Sequence, residues 1–316
     1  MRIAMAGNGA FANKHLDALA RIDGAEVVTI VGREGDDDSL RAVADKHGIA
    51  ERTTDFDSVL AREDVDAVIL TTPTQLHAIQ AIACLEAGKH VMTEIPMADN
   101  LADSEALVAK QRETGLVAMV DHTRRFNPSH QWLHKQFAAG ELRLQHLVVE
   151  TYFFRRTNTN ALGEPRCWTD HLLWHHACHT VDLFQYQTNE FASHVQAMQG
   201  PTHPELGIAL DMSIGLGVPS GALCTLSLSF NNDGPLGTFF RYICDKGTWI
   251  ARYDDLVDGR EQPVDVSEVD VSTDGIELAD REFIAAIREG REPNSSVAQG
   301  LPAMQTLDRL ERVLHG

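Results

Sequence analysis

The chain has 316 residues, of which 43% are hydrophobic and 23% are charged. This length and composition predict a globular protein of two domains, each with its own core, and exclude a largely disordered chain. Because 27 Lys and Arg residues face 46 Asp and Glu residues, the net charge of -19 disfavours nucleic acid and anionic membranes as partners.

The five cysteines are widely spaced and form no C-x-x-C pair, so neither a disulfide framework nor a cysteine zinc site is expected. The N-terminus contains one short apolar stretch, and no apolar run in the chain reaches the roughly 18 residues that a membrane helix needs. We therefore expect a cytoplasmic protein without a signal peptide or a membrane span.

Up to residue 121, short β-branched runs alternate with longer amphipathic stretches, which predicts βαβ units on a parallel sheet. The predicted strands are Ile3–Ala6, Val27–Val31, Ala67–Thr71, His90–Thr93 and Val117–Val120. The predicted helices lie near His15–Arg21, Ser39–His47, Leu76–Ala87 and Leu101–Thr114. Residues 1–121 are thus predicted to form a dinucleotide-binding Rossmann domain of the α/β class.

Residues 122–316 are predicted to form a substrate-binding α+β domain with an open, mostly antiparallel sheet. Its first elements are predicted to be helices near Ser129–Ala138 and Leu172–Tyr186 and the strand Leu147–Phe154. The strands Ala222–Phe230 and Thr238–Cys244 are separated by a turn-rich stretch, which favours their antiparallel pairing. The chain closes with two predicted helices, which could pack on the first domain: Ile276–Glu289 and Gln299–Leu314.

The open sheet also suggests how copies of the chain associate. Phe230, Phe239 and Phe240 lie on its predicted strands, and exposed apolar side chains on an open sheet favour contact between subunits. We therefore expect a homo-oligomer, with a dimer favoured.

A glycine-rich turn directly follows the first predicted strand. The residues Gly7-Asn8-Gly9-Ala10-Phe11-Ala12 match the G-x-G-x-x-A pattern of dinucleotide-binding proteins. Gly7 allows a tight turn, and Gly9 lets the backbone approach a pyrophosphate at the start of the helix that contains Ala10 and Phe11. A dinucleotide cofactor is predicted; the alternative is a glycine turn that binds nothing.

The second predicted strand ends in Val31-Gly32-Arg33, at the place where NAD enzymes usually carry an Asp or Glu for the ribose hydroxyls. Arg33 could instead bind a 2′-phosphate, so NADP is predicted in preference to NAD. The alternative is that Arg33 is solvated, with Glu34 or a nearby Asp as the ribose ligand.

Two later loops lie at the carboxyl edge of the predicted sheet, where ligands of open α/β folds bind. Thr71, Thr72 and Pro73 offer hydroxyls and backbone amides that could contact the cofactor ribose. Glu94 follows the next strand and is expected beside the nicotinamide.

Four of the fifteen histidines lie between Thr169 and Asp182. On a helix, His175, His179 and Asp182 share one face. An imidazole titrates near pH ~6.5 and can take a proton from a hydroxyl while hydride leaves the same carbon, and Asp182 could orient His179. The alternatives are core histidines satisfied by hydrogen bonds and half of a zinc site; that site lacks a third ligand, so no metal is predicted.

Two arginine pairs, Arg124-Arg125 and Arg155-Arg156, stand out in so acidic a chain. A guanidinium group binds a carboxylate through two parallel hydrogen bonds, so a small anionic substrate is predicted, bound by one member of each pair. For any single arginine, a surface or interface salt bridge is the alternative.

Five motifs occur along the chain in a recognisable order: Gly7-x-Gly9-x-x-Ala12, Thr72-Pro73-Thr74-x-x-His77, Glu94-Ile95-Pro96, Arg124-Arg125-Phe126-Asn127-Pro128 and His175-x-x-x-His179-x-x-Asp182. Together they resemble the glucose-fructose oxidoreductase and inositol dehydrogenase family, often called Gfo/Idh/MocA. The resemblance implies NAD(P)-dependent oxidation, a cofactor contact by His77 and an acid or base role for His179. The family usually has Glu-Lys-Pro where this chain has Glu94-Ile95-Pro96, and Asp in place of His175, so proton removal is expected to depend on the histidines.

Three longer stretches, residues 122–131, 152–158 and 168–176, are similar to one member of this family that acts on a dicarboxylate. This resemblance implies a dicarboxylate substrate bound by Arg124, Arg156, Asn158, Trp168 and Thr169. Two other functions stay open: a sugar or cyclitol dehydrogenase, against which the missing lysine counts, and a catalytically silent sensor that binds NADPH.

Overall fold

The computed structural model describes residues 1–159, 163, 169–269 and 275–316. The chain forms two compact units: the first unit is Met1–His122 with Ile276–Leu301, and the second unit is Thr123–Gly275 with Pro302–Gly316. The domain boundary at residue 121 stays a prediction. In the part of the chain that is described, no helix has the length and apolar character needed to cross a membrane.

The strands are numbered in chain order. They are β1 (Arg2–Ala6), β2 (Glu26–Val31), β3 (Glu51–Thr53), β4 (Ala67–Leu70), β5 (His90–Thr93), β6 (Ala118–Val120), β7 (Leu144–Tyr152), β8 (His194–Gln199), β9 (Asp211–Gly217), β10 (Leu223–Ser229), β11 (Gly237–Cys244), β12 (Gly247–Arg252) and β13 (Asp255–Asp258). The helices are α1 (Ala10–Leu19), α2 (Asp37–His47), α3 (Phe56–Leu60), α4 (Thr74–Glu86), α5 (Leu101–Thr114), α6 (Pro128–Ala138), α7 (Cys178–Thr188), α8 (Ile276–Glu289) and α9 (Val297–His315).

The first unit contains a six-stranded parallel sheet in the order β3-β2-β1-β4-β5-β6, which is the strand order of doubly wound dinucleotide-binding sheets. Strand β4 is an uninterrupted apolar run and is buried throughout, as expected for a strand covered on both faces. The prediction of an N-terminal Rossmann fold is confirmed.

The second unit contains a seven-stranded sheet in the order β13-β12-β11-β7-β10-β9-β8. Strands β7 and β10 are parallel to each other, whereas the other neighbouring pairs are antiparallel. Buried and more exposed residues alternate along β10, which is the pattern of a sheet with one face on a core. The prediction of a mostly antiparallel C-terminal sheet is confirmed.

One predicted strand pairing was wrong. Strands β10 and β11 do run in opposite directions, but they do not bond to each other, because β7 lies between them and pairs with both. The stretch 231–235 therefore crosses the end of β7 instead of closing a hairpin, and Phe154 at that end forms a bridge with Asn231.

The apolar residues chosen as an exposed interface were also wrong in part. Phe230 and Phe240 are 0% and 1% exposed within the chain itself, because they belong to the buried core, as do Tyr242 and Trp174. They cannot form an open contact surface, so the predicted dimer stays a prediction that has lost this support.

Candidate functional site

The glycine turn of the first unit has the shape that a dinucleotide pyrophosphate needs. Gly7 has φ +115°, and a Cβ atom added there would lie 2.3 Å from Thr71 Oγ1, so the turn admits only glycine. A Cβ at Gly9 would meet no described atom within 4 Å. Gly9 precedes α1, and among the described residues no side chain caps this helix start and its first turn holds no acid, so its N–H groups suit an anion.

The two glycines predict different mutant behaviour. Gly7→Ala is expected to destabilise the first unit and to abolish cofactor binding, because the new Cβ collides with Thr71 and φ is positive. Gly9→Ala is expected to leave the unfolding temperature unchanged and to weaken cofactor binding at least roughly tenfold, because its methyl group occupies the approach of the pyrophosphate. Thermal unfolding and NADPH fluorescence titration measure the two effects; unchanged NADPH affinity in Gly9→Ala would contradict this placement.

Arg33 lies just beyond the end of β2. Its guanidinium donates to Asp36 Oδ1 at 3.0 Å, and its side chain is 63% exposed. An ion pair this exposed contributes only about 0–1 kcal/mol to stability. A phosphate group can therefore replace Asp36 as the partner of Arg33. The amide of Asn8, in the glycine turn, donates to the hydroxyl of Ser39 on α2 at 2.5 Å, and both groups can bind a phosphate oxygen.

The loop after β4 is held by hydrogen bonds within the first unit. The Thr71 hydroxyl donates to the Ala6 carbonyl at 3.0 Å, and the Thr72 hydroxyl donates to Gln80 Oε1 at 2.6 Å. His77 is buried, with Nδ1 2.8 Å from the carbonyl of Pro96 and Nε2 2.8 Å from that of Thr72, and burial lowers the pKa of its ring. His77 therefore links the loops on which Thr72 and Glu94 lie, and the backbone of Pro73 caps α4 between them.

Glu94 belongs to a group of charged side chains that the sequence did not reveal. One of its carboxylate oxygens accepts from the amide of Ile95 at 3.2 Å, and the other lies 3.3 Å from Nε2 of His15. His15 also contacts Asp280 and Asp121. Burial alone would lower the pKa of His15, but the three carboxylates raise it well above its usual value.

The histidine cluster of the second unit begins in a π-helical turn, Leu172–Ala177, that continues into α7. Such turns interrupt regular helices mostly at functional sites. His175 is buried and His179 is half-buried. Nδ1 of His175 accepts from the amide of His171 at 3.2 Å, so in the neutral ring of His175 the proton is on Nε2.

Asp182, the third residue of this predicted face, forms a buried ion pair. Its two carboxylate oxygens accept from Nε and Nη2 of Arg125 at 2.8 and 2.6 Å, and the two side chains are 4% and 1% exposed. The Arg125 guanidinium also lies over the ring of Tyr186, 4.6 Å from its centre. This bidentate pair fixes α7 to the turn at residues 123–125; the predicted contact from Asp182 to His179 stays a prediction.

Arg124 has a different environment from its neighbour. Its guanidinium lies 4.9 Å from the centre of the Tyr253 ring and 5.9 Å from that of Phe240, and it donates to Asn127 at 3.3 Å. Aromatic faces leave the edge of a guanidinium group usable for a carboxylate. The assignment of Arg124 to the substrate stays a prediction.

The second arginine pair is divided in the same way. Arg155 forms an ion pair with Asp170 and stacks over Phe230, and Asp170 also lies 3.4 Å from Nε2 of His176. Arg156 is exposed; it lies over Phe154 and donates to the side chain of Asn231 at 3.0 Å.

Two further predicted substrate residues lie together. Nδ2 of Asn158 donates to the Thr169 hydroxyl at 2.9 Å, and Oδ1 of Asn158 is buried with no hydrogen-bond partner among the described residues. That oxygen is available to a donor on a ligand. Trp168 lies outside the described residues.

The structure thus arranges the predicted residues in two groups. In the first unit, the glycine turn, Arg33 and the loop after β4 follow successive strand ends of one parallel sheet. In the second unit, the π-helical turn and α7 carry the histidines, and the arginine pairs lie before α6 and after β7.

Comparison with known proteins matches both units. Residues 1–122 match the model described as "Oxidoreductase family, NAD-binding Rossmann fold", and residues 128–270 match "Bacterial oxidoreductases, C-terminal". The chain is 67% identical over 311 residues, covering 98% of both chains, to the 4-carboxy-2-hydroxymuconate-6-semialdehyde dehydrogenase of Sphingobium sp. (strain NBRC 103272 / SYK-6). It is 26% identical over 328 residues to inositol 2-dehydrogenase 2 of Paenarthrobacter aurescens (strain TC1), covering 100% of this chain and 96% of that one.

The fold is similar to that of a crystal structure of an oxidoreductase from Agrobacterium radiobacter in complex with NAD+, L-tartaric acid and magnesium. The TM-score is 0.86 at 17% identity, and the match covers 100% of this chain and 96% of the other. At this identity the likeness establishes the shared fold.

Proposed function

Because this chain belongs to the Gfo/Idh/MocA family of NAD-binding oxidoreductases, we propose that it is an NADP-dependent dehydrogenase of 4-carboxy-2-hydroxymuconate-6-semialdehyde. The reaction is oxidation of the cyclic hemiacetal of this compound to 2-pyrone-4,6-dicarboxylate. The observation that carries the proposal is the 67% identity, over 98% of both chains, to a dehydrogenase of that name. The arginine pairs, which suit a dicarboxylate, support it.

The chemistry requires no covalent enzyme intermediate. The aldehyde closes on the enol hydroxyl to give a hemiacetal, whose oxidation gives the lactone directly. Of the described cysteines, Cys84, Cys178, Cys224 and Cys244 are buried, and burial raises the pKa of Cys84, Cys224 and Cys244, the last to about 12. A thiol that stays protonated is a poor nucleophile, so direct oxidation suits these residues better than a thioester route.

The glycine turn and Arg33 would hold a nicotinamide cofactor, which would supply the hydride acceptor for the hemiacetal carbon. The hemiacetal hydroxyl must then lose its proton, and we assign that proton to His179. His179 is half-buried, whereas His175 is buried and its Nδ1 already accepts a hydrogen bond. A neutral His175 therefore offers an N–H donor, which suits it to holding the substrate oxygen while His179 takes the proton.

The two carboxylates of the substrate need cationic partners. Arg125 and Arg155 are paired with Asp182 and Asp170. Arg124 lies against two aromatic rings and Arg156 is exposed, so we assign these two arginines to the substrate carboxylates. Asn158, two residues after Arg156, supplies an amide, and Thr169, which is hydrogen-bonded to Asn158, supplies a hydroxyl. A small dicarboxylate would thus find positive charge locally in a chain of net charge -19.

The first experiment follows NADP reduction by absorbance, with the ring-cleavage product of protocatechuate as substrate and NAD as the parallel cofactor. Rapid reduction with NADP is expected. Reduction of either cofactor only with polyols or sugars would replace this proposal by a sugar or cyclitol dehydrogenase. Tight NADPH binding without turnover of any substrate would favour a sensor.

The preference for NADP is assigned to Arg33. Arg33→Ser is expected to raise the KM for NADP roughly 10- to 100-fold, because a charge-assisted hydrogen bond to the 2′-phosphate contributes about 1.5–3 kcal/mol, and to leave the KM for NAD unchanged. Arg41→Ser, which removes an exposed arginine of α2, is the matched control. An equal rise in KM for both cofactors, or an equal rise in the KM for NADP in both variants, would count against this role of Arg33.

A further inference from the structure

Four ionisable side chains meet inside the first unit. His15 of α1, Asp121 after β6 and Asp280 of α8 are each 0% exposed, and the Glu94 side chain after β5 is 13% exposed. Three carboxylates and one imidazole in the interior carry an excess of negative charge. Burial of such charges is costly unless each is paired or bound to a cation.

Two distances from Nε2 of His15 match the spacing of ligands around one ion. Oε1 of Glu94 lies 3.3 Å from this nitrogen and Oδ2 of Asp121 lies 3.5 Å from it, and the three ligand atoms all lie within 4.8 Å of one another. Ligands bound at about 2.0–2.2 Å in tetrahedral geometry are separated by about 3.4 Å. The distance to Glu94 is also that of a long hydrogen bond from the ring.

Asp121 supplies a second, independent observation. It is fully buried, it is directed at His15, and neither of its carboxylate oxygens has a hydrogen-bond partner among the described residues. Buried polar groups nearly always have a partner. An acceptor-only group in this position requires a proton or a metal ion.

Asp280 completes the arrangement from the other side of the ring. Nδ1 of His15 lies 2.8 Å from Oδ1 of Asp280. A carboxylate that accepts from one ring nitrogen fixes the tautomer and directs the lone pair of the other, as in the carboxylate–histidine–metal arrangement of metal sites. In the neutral ring this lone pair is directed at Glu94 and Asp121, and metal binding would release the second proton of the ring.

We propose that His15, Glu94 and Asp121 bind a divalent metal ion of the Zn²⁺ or Mn²⁺ class, with Asp280 as the residue that orients His15. Mixed imidazole and carboxylate ligands suit these ions. Three protein ligands leave a fourth position open, and the partly exposed Glu94 gives the ion a route from solvent. The sequence predicts no such site because His15 and Asp280 are 265 residues apart.

The test uses the full chain after treatment with a chelator, titrated by calorimetry with ZnCl₂ and separately with MnCl₂. We expect the wild-type protein to bind one equivalent in this site and its unfolding temperature to rise with the ion. Asp121→Asn is expected to weaken that binding at least 100-fold, and Asp280→Asn 10- to 100-fold. Asp38→Asn, a fully exposed acid of α2, is the control and should bind like the wild type.

A merely structural role for the cluster gives different results. Under the proposal, Asp121→Asn in the chelated protein should unfold at the same temperature as the wild type or higher, because it removes a buried charge that no hydrogen bond from the described residues satisfies. A structural role alone would instead lower that temperature. If Asp121→Asn does not fold, the affinity of Asp280→Asn for the metal ion tests the proposal instead. The proposal is overturned if chelated wild-type protein binds neither ion, because His15 would then balance the carboxylate charge as an imidazolium. It is also overturned if both variants bind the ion as tightly as the wild type.

Discussion

Replacing His179 with alanine is expected to lower kcat roughly 10²- to 10⁴-fold, which is the usual contribution of a general base. The KM for the dicarboxylate substrate should change little, because the carboxylates are assigned to arginines. The rate of NADP reduction at saturating substrate measures the effect. Exogenous imidazole should restore part of the rate in His179→Ala, since it can enter the space that the side chain leaves.

His175 provides the comparison that separates a base from a donor. His175→Asn keeps a side-chain N–H, and its kcat is expected to fall only about tenfold, because one hydrogen bond contributes about 0.5–1.5 kcal/mol. Circular dichroism and NADPH affinity should match the wild type in both variants. Full turnover by His179→Ala, or a larger loss in His175→Asn than in His179→Ala, would reverse the assignment.

The buried pair of Arg125 and Asp182 predicts the largest effect on stability. Arg125→Met is expected to lower the free energy of unfolding by about 3–5 kcal/mol, because it leaves the carboxylate of Asp182 buried without its bidentate partner. The double variant Arg125→Met with Asp182→Leu should recover most of this loss, since it removes both charges. Urea denaturation followed by circular dichroism measures the difference.

An exposed ion pair in the same unit is the control for this prediction. Arg312 pairs with Asp308 at 2.7 Å, and its side chain is 75% exposed. Arg312→Met should lower the free energy of unfolding by no more than about 1 kcal/mol. If Arg125→Met were as mild as Arg312→Met, the pair of Arg125 and Asp182 would not stabilise the second unit as described here.

The fold could be predicted wherever the pattern is local. Strand β5 and helices α5 and α8 begin and end at the predicted residues, because apolar residues define β5, an amphipathic repeat defines α8, and Asn100 and Gly115 cap α5. Strand β3 and helix α3 were missed because they have three and five residues, and β3 contains Glu, Arg and Thr. The insertion of β7 between β10 and β11 depends on pairing between distant strands, which no local pattern encodes.

The same distinction applies to the candidate site. The glycine turn is a contiguous motif, so its geometry follows from six residues. The ring of His15 instead contacts Glu94, 79 residues away, and Asp280, 265 residues away. A helical repeat of i and i+4 also assumes an α-helix, whereas His175 lies in a π-helical turn.

The composition of the first unit from two chain segments has a consequence for biosynthesis. Glu277 and Asp280 of α8 bind Arg21 and His15, and the backbone of Ser295 pairs with Val120 at the edge strand β6. The N-terminus emerges from the ribosome first. All six strands of the parallel sheet of the first unit are therefore synthesised long before α8 and Ser295. While the second sheet is being synthesised, the edge of β6 and the face of α1 that later contacts α8 are open to other chains. Chaperones would be needed during this period of synthesis.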